Sequence, residues 1–256
     1  MEITILGAHN TESENTGLTS LLIDGVLAID AGALTSSLSF EAQFKLKAIL
    51  LTHQHYDHVR DIPAIAINYY LREKTLAVYT TPYVSRCLTA NLFNNETYPD
   101  FTQIPAGRPA LEINLLEPGE TAEILSYHVL PVRVNHSSFT VGYQITSVDG
   151  KTVFFTSDTG PGLTEVWRQV SPELLITETT TSDSYEDAAA ETGHLTPSLL
   201  ENELQSLFKI HGYLPEIVLV HMNPTEEKKI EEEITEVAVR LGASIQLGHE
   251  GMQLHI

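Results

Sequence analysis

Basic residues are scarce in this chain: 14 Lys and Arg stand against 34 Asp and Glu, for a formal net charge of −20. A surface so acidic repels long polyanions, which argues against nucleic acid as the main partner. It still admits a small phosphate compound drawn to a local cationic site. The single cysteine, Cys87, excludes an internal disulfide, so the fold does not depend on an oxidising compartment and any metal is bound through nitrogen and oxygen. No apolar run is long enough to span a membrane. The opening MEITILGAHN has neither the basic region nor the apolar core of a signal peptide, and the expectation is a cytoplasmic enzyme without a membrane partner. Internal repeats, low-complexity tracts, linkers and the glycine fingerprint of a dinucleotide-binding βαβ unit are all missing. With 256 residues, 42% of them hydrophobic, residues 1–256 are expected to bury one large core as a single domain. A homodimer is compatible with all of these features.

The stretch that carries chemistry is Lys47 to His58, KAILLTHQHYDH. Ala48-Ile-Leu-Leu-Thr is a short apolar run with β-branched members, the pattern of a fully buried strand. The four candidate ligands follow at once. Extended residues alternate sides, so His53 and His55 point the same way, while the turn after them swings Asp57 and His58 toward a neighbouring point. One segment can thus serve two adjacent metal ions. Imidazole with carboxylate suits zinc, and iron or manganese nearly as well.

In order, strands are expected at Glu2 to Leu6, Thr19 to Asp24 and Val26 to Asp30. Asp30, followed by Gly32, is either a turn residue or a carboxylate that accepts a hydrogen bond from a ligand histidine. Asp61 is expected to cap a helix with Pro63 in its first turn, running to Arg72. A strand at Thr75 to Thr80 and a helix from Pro82 to Phe93 follow. Next come strands at Leu111 to Leu116, Ala122 to Leu125, His128 to Asn135, Thr140 to Thr146 and Thr152 to Thr156. The last two are joined across Asp149-Gly150, a two-residue hairpin signal. Strand-rich halves interleaved with helices imply an α/β (α+β) architecture of two stacked sheets flanked by helices. Glu226 to Glu236 reads as the solvated face of a helix started by Thr225, with Ile230, Ile234, Val237 and Leu241 inward. His128, His211, His249 and His255 have no partners at ligand spacing. Tyr69, Tyr70, Phe93, Tyr98 and Phe101 read mainly as core.

Three further ligands sit at later strand ends. His136 follows Val132-Arg-Val-Asn, Asp158 follows Val153-Phe-Phe-Thr-Ser, and His221 follows Ile217-Val-Leu-Val. His53, His55 and His136 would surround one metal, Asp57, His58 and His221 a second, and Asp158 would bridge. That is the inventory of a two-metal hydrolase, whose ions sit ~3.5 to 4 Å apart.

Thr52 to His58, THxHxDH, with His136, Asp158 and His221, resembles the metallo-β-lactamase superfamily. The resemblance implies that family's four-layer αββα sandwich and a dinuclear centre. Phe154-Phe-Thr-Ser-Asp-Thr-Gly-Pro, Gly193-His-Leu-Thr-Pro, Val220-His-Met-Asn-Pro and Leu92-Phe-Asn-Asn-Glu-Thr-Tyr-Pro-Asp-Phe resemble, in order, the class II cyclic nucleotide phosphodiesterases. The chain departs from that family at Tyr56, usually Leu, and at Val59-Arg60-Asp61, usually more apolar. It departs again at Tyr98, usually Trp, and at His9, in a loop that is normally glycine-rich. These departures leave the metal ligands intact and bear on nucleotide preference.

A phosphodiester anion needs a hydroxide, charge to offset its oxygens, and a proton for the leaving oxygen. Two divalent metals, zinc first and iron or manganese next, meet the first two needs. The third points to His194, outside the metal set and just before a helix capped by Thr196, with Glu178 to orient and charge its imidazole. Ribonuclease Z is similar here, with a glutamate and a histidine in like places. The expected activity is hydrolysis of a small-molecule 3′,5′-cyclic nucleotide, cAMP or cGMP, to the 5′-monophosphate, with Asp57 positioning the attacking group. The alternatives are a tRNA 3′-processing nuclease, a thioesterase or lactonase, and a non-catalytic scaffold. The shortage of bases argues against the first and the Glu178 and His194 pair against the second. The complete ligand set argues against the third.

Overall fold

The computed structural model describes residues 1–256. Six strands open the chain: β1 (Glu2–Gly7), β2 (Ser20–Ile23), β3 (Leu27–Ile29), β4 (Ala48–Leu50), β5 (Leu76–Thr80) and β6 (Leu111–Leu115). Seven form a second sheet: β7 (Ala122–Ile124), β8 (Tyr127–Arg133), β9 (Val141–Thr146), β10 (Thr152–Phe155), β11 (Leu174–Glu178), β12 (Glu216–Val220) and β13 (Ile245–Leu247). The last strand, β14 (Gln253–His255), returns to the free edge of β1, so the first sheet runs β14-β1-β2-β3-β4-β5-β6. Each sheet starts as an antiparallel meander and turns parallel, from β3 onward in the first and from β10 onward in the second. The sheets stack on a shared core that includes Ile3, Ile5, Leu21, Tyr143, Phe155 and Ile176. Helices cover both outer faces, which makes the four-layer αββα sandwich.

Parallel strands need crossovers, and here those crossovers are the covering helices. One of the two 15-residue helices of the second half, Pro197–His211, starts where the Thr196 hydroxyl accepts from the Leu199 amide. It buries Leu200, Leu204 and Leu207 on one face and ends at Gly212 in the left-handed conformation. This arrangement sets the C-terminal ends of β3, β4, β10, β11 and β12 on one rim, where ligands gather in open parallel sheets.

Some local expectations fail because the side chain finds another partner. Asp61 does not cap the helix Ile62–Leu71: its backbone is already helical, and its carboxylate accepts from the Thr35 amide and Arg60 Nε. Thr225 does not start the last helix, Glu227–Leu241, because its hydroxyl donates to Asn223. The hairpin at Asp149-Gly150 has three loop residues rather than two. Ser147 pairs with Lys151, and Gly150 takes the positive φ. Tyr69, Phe93 and Phe101 are core as expected, whereas Tyr70 is exposed.

His9 is buried, and it fastens the first loop to the chain's end. Glu250 accepts from His9 Nδ1 at 2.7 Å and from the Gly17 and Ala8 amides at 2.8 and 3.2 Å. Burial opposes the Glu250 charge, but His9 and these amides outweigh it and lower the carboxyl to about 2. A lowered carboxyl adds stability above its unfolded pKa and loses it as pH falls through the folded value. Glu250→Gln should therefore cost about 1–3 kcal/mol in urea unfolding at pH 7, a charged hydrogen bond's worth, and the deficit should shrink as pH falls from 5 toward 2. Equal stability of the two proteins at pH 7 would remove this role.

Candidate functional site

The rim gathers ligands because each sits just past a strand end. β4 runs into the turn that holds His53, His55, Asp57 and His58. His136 follows β8, Asp158 follows β10 and His221 follows β12. Ligand atoms of His53, His55, His136 and Asp158 lie within 4.8 Å of one another, as do those of Asp57, His58, Asp158 and His221. Asp158 belongs to both groups. The two groups draw on both sheets, so the site spans the seam of the sandwich.

The partners of each ring assign its proton. His53 Nδ1 donates to Thr52 Oγ1 at 3.1 Å, His58 Nδ1 to Asp30 Oδ2 at 2.7 Å, His136 Nδ1 to the Gly193 carbonyl at 2.8 Å and His221 Nδ1 to Thr180 Oγ1 at 2.9 Å. In all four rings Nε2 therefore faces the centre, where it would offer a lone pair once a cation displaces any proton it carries. Asp158 Oδ2 lies 3.6, 3.8 and 3.4 Å from Nε2 of His53, His136 and His221, and Asp158 Oδ1 lies 3.1 Å from His58 Nε2. Asp57 Oδ2 is 3.1 Å from His221 Nε2 and 3.5 Å from His58 Nε2. Four tetrahedral ligands at ~2.0–2.2 Å from one ion are ~3.3–3.6 Å apart, so these spacings suit a shared cation.

A second observation agrees. His53 Nε2, His58 Nε2 and Asp158 Oδ1 are buried without a hydrogen-bond partner. His55 Nδ1 and His136 Nε2 face each other at 3.2 Å, and with its proton on Nδ1 His136 presents a lone pair there. Buried acceptors in that state are costly, and two divalent cations would satisfy them.

Burial keeps the His53 imidazole neutral, well below its usual range, with His58 adding to the effect. Burial alone would raise the Asp158 carboxyl, but the His221 and His58 rings hold it well below the carboxylate range. Asp57 is lowered in the same way, by hydrogen bonds to His221 and His58 against its own burial. Both carboxylates are therefore charged and ready as ligands.

Asp30, fully buried, accepts from His58 and from both the amide and the hydroxyl of Thr52. Of its two sequence readings, the orienting carboxylate is the one that matches this geometry. Asp30, Ser157 and His221 all hold positive φ, near 60°, as constrained backbone at a site often does.

Beside the metal groups lies the Glu178 and His194 pair. His194 Nδ1 is 2.8 Å from Glu178 Oε1 and 3.2 Å from the Thr180 hydroxyl, which leaves Nε2 as the free nitrogen. Glu178 also accepts from the Thr159 and Leu195 amides and from Thr180. Glu178, His194 and His221 also have ligand atoms within 4.8 Å of one another, but the donors that occupy the carboxylate assign it to the imidazole rather than to a metal. Burial opposes the imidazolium, but Glu178, with Asp158 and Asp57 beyond, raises His194 to about 9. The His194 ring stacks 5.5 Å from that of His221 and lines two clefts, of about 420 and 570 Å³.

Sequence reasoning did not pick out Thr52, Ser157 and Thr180. Ser157 donates to Thr52, and Thr180 joins His194, His221 and Glu178. A hydroxyl after a buried strand is too common a pattern to have identified them. Glu12 and Asn10, of the first loop, also line the larger cleft.

A family model for the beta-lactamase superfamily domain matches residues 19–243. No curated protein matches the chain in sequence. Among solved structures, unliganded yeast PDE1 superposes with a TM-score of 0.87 at 19% identity, covering 100% of this chain and 99% of that one. The metallo-beta-lactamase fold protein YhfI from Bacillus subtilis follows at 0.78 and 17%, covering 99% of each. The short form of human tRNase Z superposes at 0.70 and 19%, covering 100% and 99%.

Elemental analysis of metal-loaded protein should return about two equivalents per chain. Asp158→Ala should lose both, because both groups share that carboxylate, and Asp30→Asn should weaken the His58 side by about 10- to 100-fold. A single equivalent in carefully reconstituted wild-type protein would contradict the dinuclear arrangement.

Proposed function

The chain belongs to the beta-lactamase superfamily, and on that footing we propose that this metallohydrolase is a phosphodiesterase that opens 3′,5′-cyclic nucleotides to nucleoside 5′-monophosphates. The observation that carries the reading is the Glu178 and His194 pair, hydrogen-bonded at 2.8 Å beside the two groups that share Asp158, with His194 Nε2 unengaged. A thioester releases a thiolate and has no such need of a proton donor, whereas a ribose 3′ oxygen leaves poorly as an alkoxide.

Two divalent ions, which we propose to be zinc with iron or manganese as alternatives, would supply hydroxide near neutral pH and offset the phosphate charge. Asp57, charged and with Oδ2 3.1 Å from His221 Nε2, orients the attacking group in line with the 3′ oxygen. His194, protonated at neutral pH, gives its Nε2 proton to the departing 3′ oxygen. Glu178 holds the opposite nitrogen, fixes the ring's aim and stabilises its charge. Thr180 braces His194 and His221 through one hydroxyl, so donor and ligand keep a constant offset.

The likeness to human tRNase Z raises a nuclease as the second reading. The charge balance, 14 Lys and Arg against 34 Asp and Glu, favours a small substrate. No helix of the chain is long and apolar enough to cross a membrane.

A turnover screen of metal-loaded protein against cAMP, cGMP, a 2′,3′-cyclic nucleotide, a precursor tRNA and a thioester tests the reading. Efficient tRNA cleavage that falls steeply with salt would overturn it. His194→Ala should slow cyclic nucleotide hydrolysis by about 10²- to 10⁴-fold while keeping both metals. It should cost far less with a nitrophenyl diester, whose leaving group departs as a stable anion. Glu178→Gln should show the same dependence more weakly, and equal losses on both substrates would end the proton-donor assignment.

A further inference from the structure

Arg60 is the single Lys or Arg lining either of the two clefts around the metal groups. Its guanidinium is largely covered and held between two carboxylates. Nε donates to Asp61 at 3.0 Å, and Nη1 pairs with Glu12 of the first loop. With two carboxylates already beside it, this cation is poorly suited to attract a further anion. It is well suited to present N–H groups in a fixed plane to a neutral acceptor. Its Nη2 has no partner and Nη1 keeps a second N–H, while Glu12 keeps one unengaged oxygen at the cleft and a second lone pair on the other.

Tyr56 lies four residues before Arg60, one helical turn away and on the same side of the chain. It is 67% exposed, lines the same cleft as Arg60 and Glu12, and offers an aromatic face beside Asp57. Tyr56 and Arg60 are also two of the positions at which the sequence departs from the phosphodiesterase pattern.

An arginine and a glutamate paired side by side display, along one line, two donors and then two acceptors. The edge of guanine from N7 through O6 and N1 to N2 displays two acceptors and then two donors. Adenine places a donor at N6 and an acceptor at N1, so it mismatches both inner positions. We propose that Tyr56, Arg60 and Glu12 form a guanine-selective base site. The purine stacks on Tyr56, Arg60 donates to O6 and N7, and Glu12 accepts from N1–H and N2–H. This deepens the cyclic nucleotide reading and rests on it, because it gives the same cleft a preferred base.

Calorimetric titration of the metal-loaded protein with GMP, AMP and inorganic phosphate tests the site without requiring turnover. GMP should bind at least about ten-fold more tightly than AMP, one good bidentate pair's worth of discrimination. Arg60→Met and Glu12→Gln should each bring the two within about two-fold, since either change breaks one paired edge. Arg60→Lys should do the same, because it keeps the charge and loses the fork. Tyr56→Ala should weaken both nucleotides by about ten-fold and leave their ratio alone. Equal GMP and AMP affinities in the wild type would overturn the proposal. So would GMP binding no tighter than phosphate, or a ratio that survives both Arg60→Met and Glu12→Gln. Turnover of cGMP and cAMP is measured separately. A protein that prefers GMP but hydrolyses neither cyclic nucleotide would keep the base site and lose the proposed reaction.

Discussion

Everything at the rim depends on a buried set of lone pairs that the protein alone cannot satisfy. Asp158, from the second sheet, faces four imidazole nitrogens, two of them from the turn that follows β4 of the first. Removing such groups from water costs several kcal/mol unless something compensates. The sheets are also joined nearby by neutral hydrogen bonds, Tyr143 to the Leu51 carbonyl and Ser157 to Thr52. These bonds hold the two halves at a fixed separation while the ligand cluster asks for positive charge. Metal binding is thereby coupled to the stability of the sandwich.

Strained backbone belongs to the same arrangement. Asp30, Ser157 and His221 take a conformation in which each non-glycine residue costs of order 1–3 kcal/mol. Each returns a contact at the site: Asp30 orients His58, Ser157 bonds Thr52, and His221 reaches both Asp57 and Thr180. The geometry around the centre is thus imposed by the chain itself, through residues that would relax elsewhere.

Much of this was legible in the sequence. Ala48 to Leu50 is apolar throughout because both its faces are covered, and the abrupt change to THQHYDH marks the rim. His136, Asp158 and His221 stood out for the same reason, as polar residues just beyond apolar runs. What stayed hidden is long-range. Thr52 and Ser157 are 105 residues apart, and no local pattern links them. Asp61 and Thr225 had the right residue type for helix caps, but Arg60 and Thr35 claimed the first and Asn223 the second. Position in sequence gave the candidates for the metal groups, whereas the hydroxyls that fix each ring's tautomer appear only once the sheets are stacked.

Gly193 is where two roles meet. Its carbonyl accepts from His136, its φ is positive, and a Cβ there would lie 2.9 Å from the His136 Cα. The next residue is His194. One peptide unit therefore separates a group that would hold a metal from the group that would deliver a proton. A force on either is felt by the other, and equally in both directions, since coupling between two equilibria is reciprocal. Loading the metal site would thus bias the aim of the acid. A substrate that engages His194 would in turn alter how tightly the ion beside His136 is held.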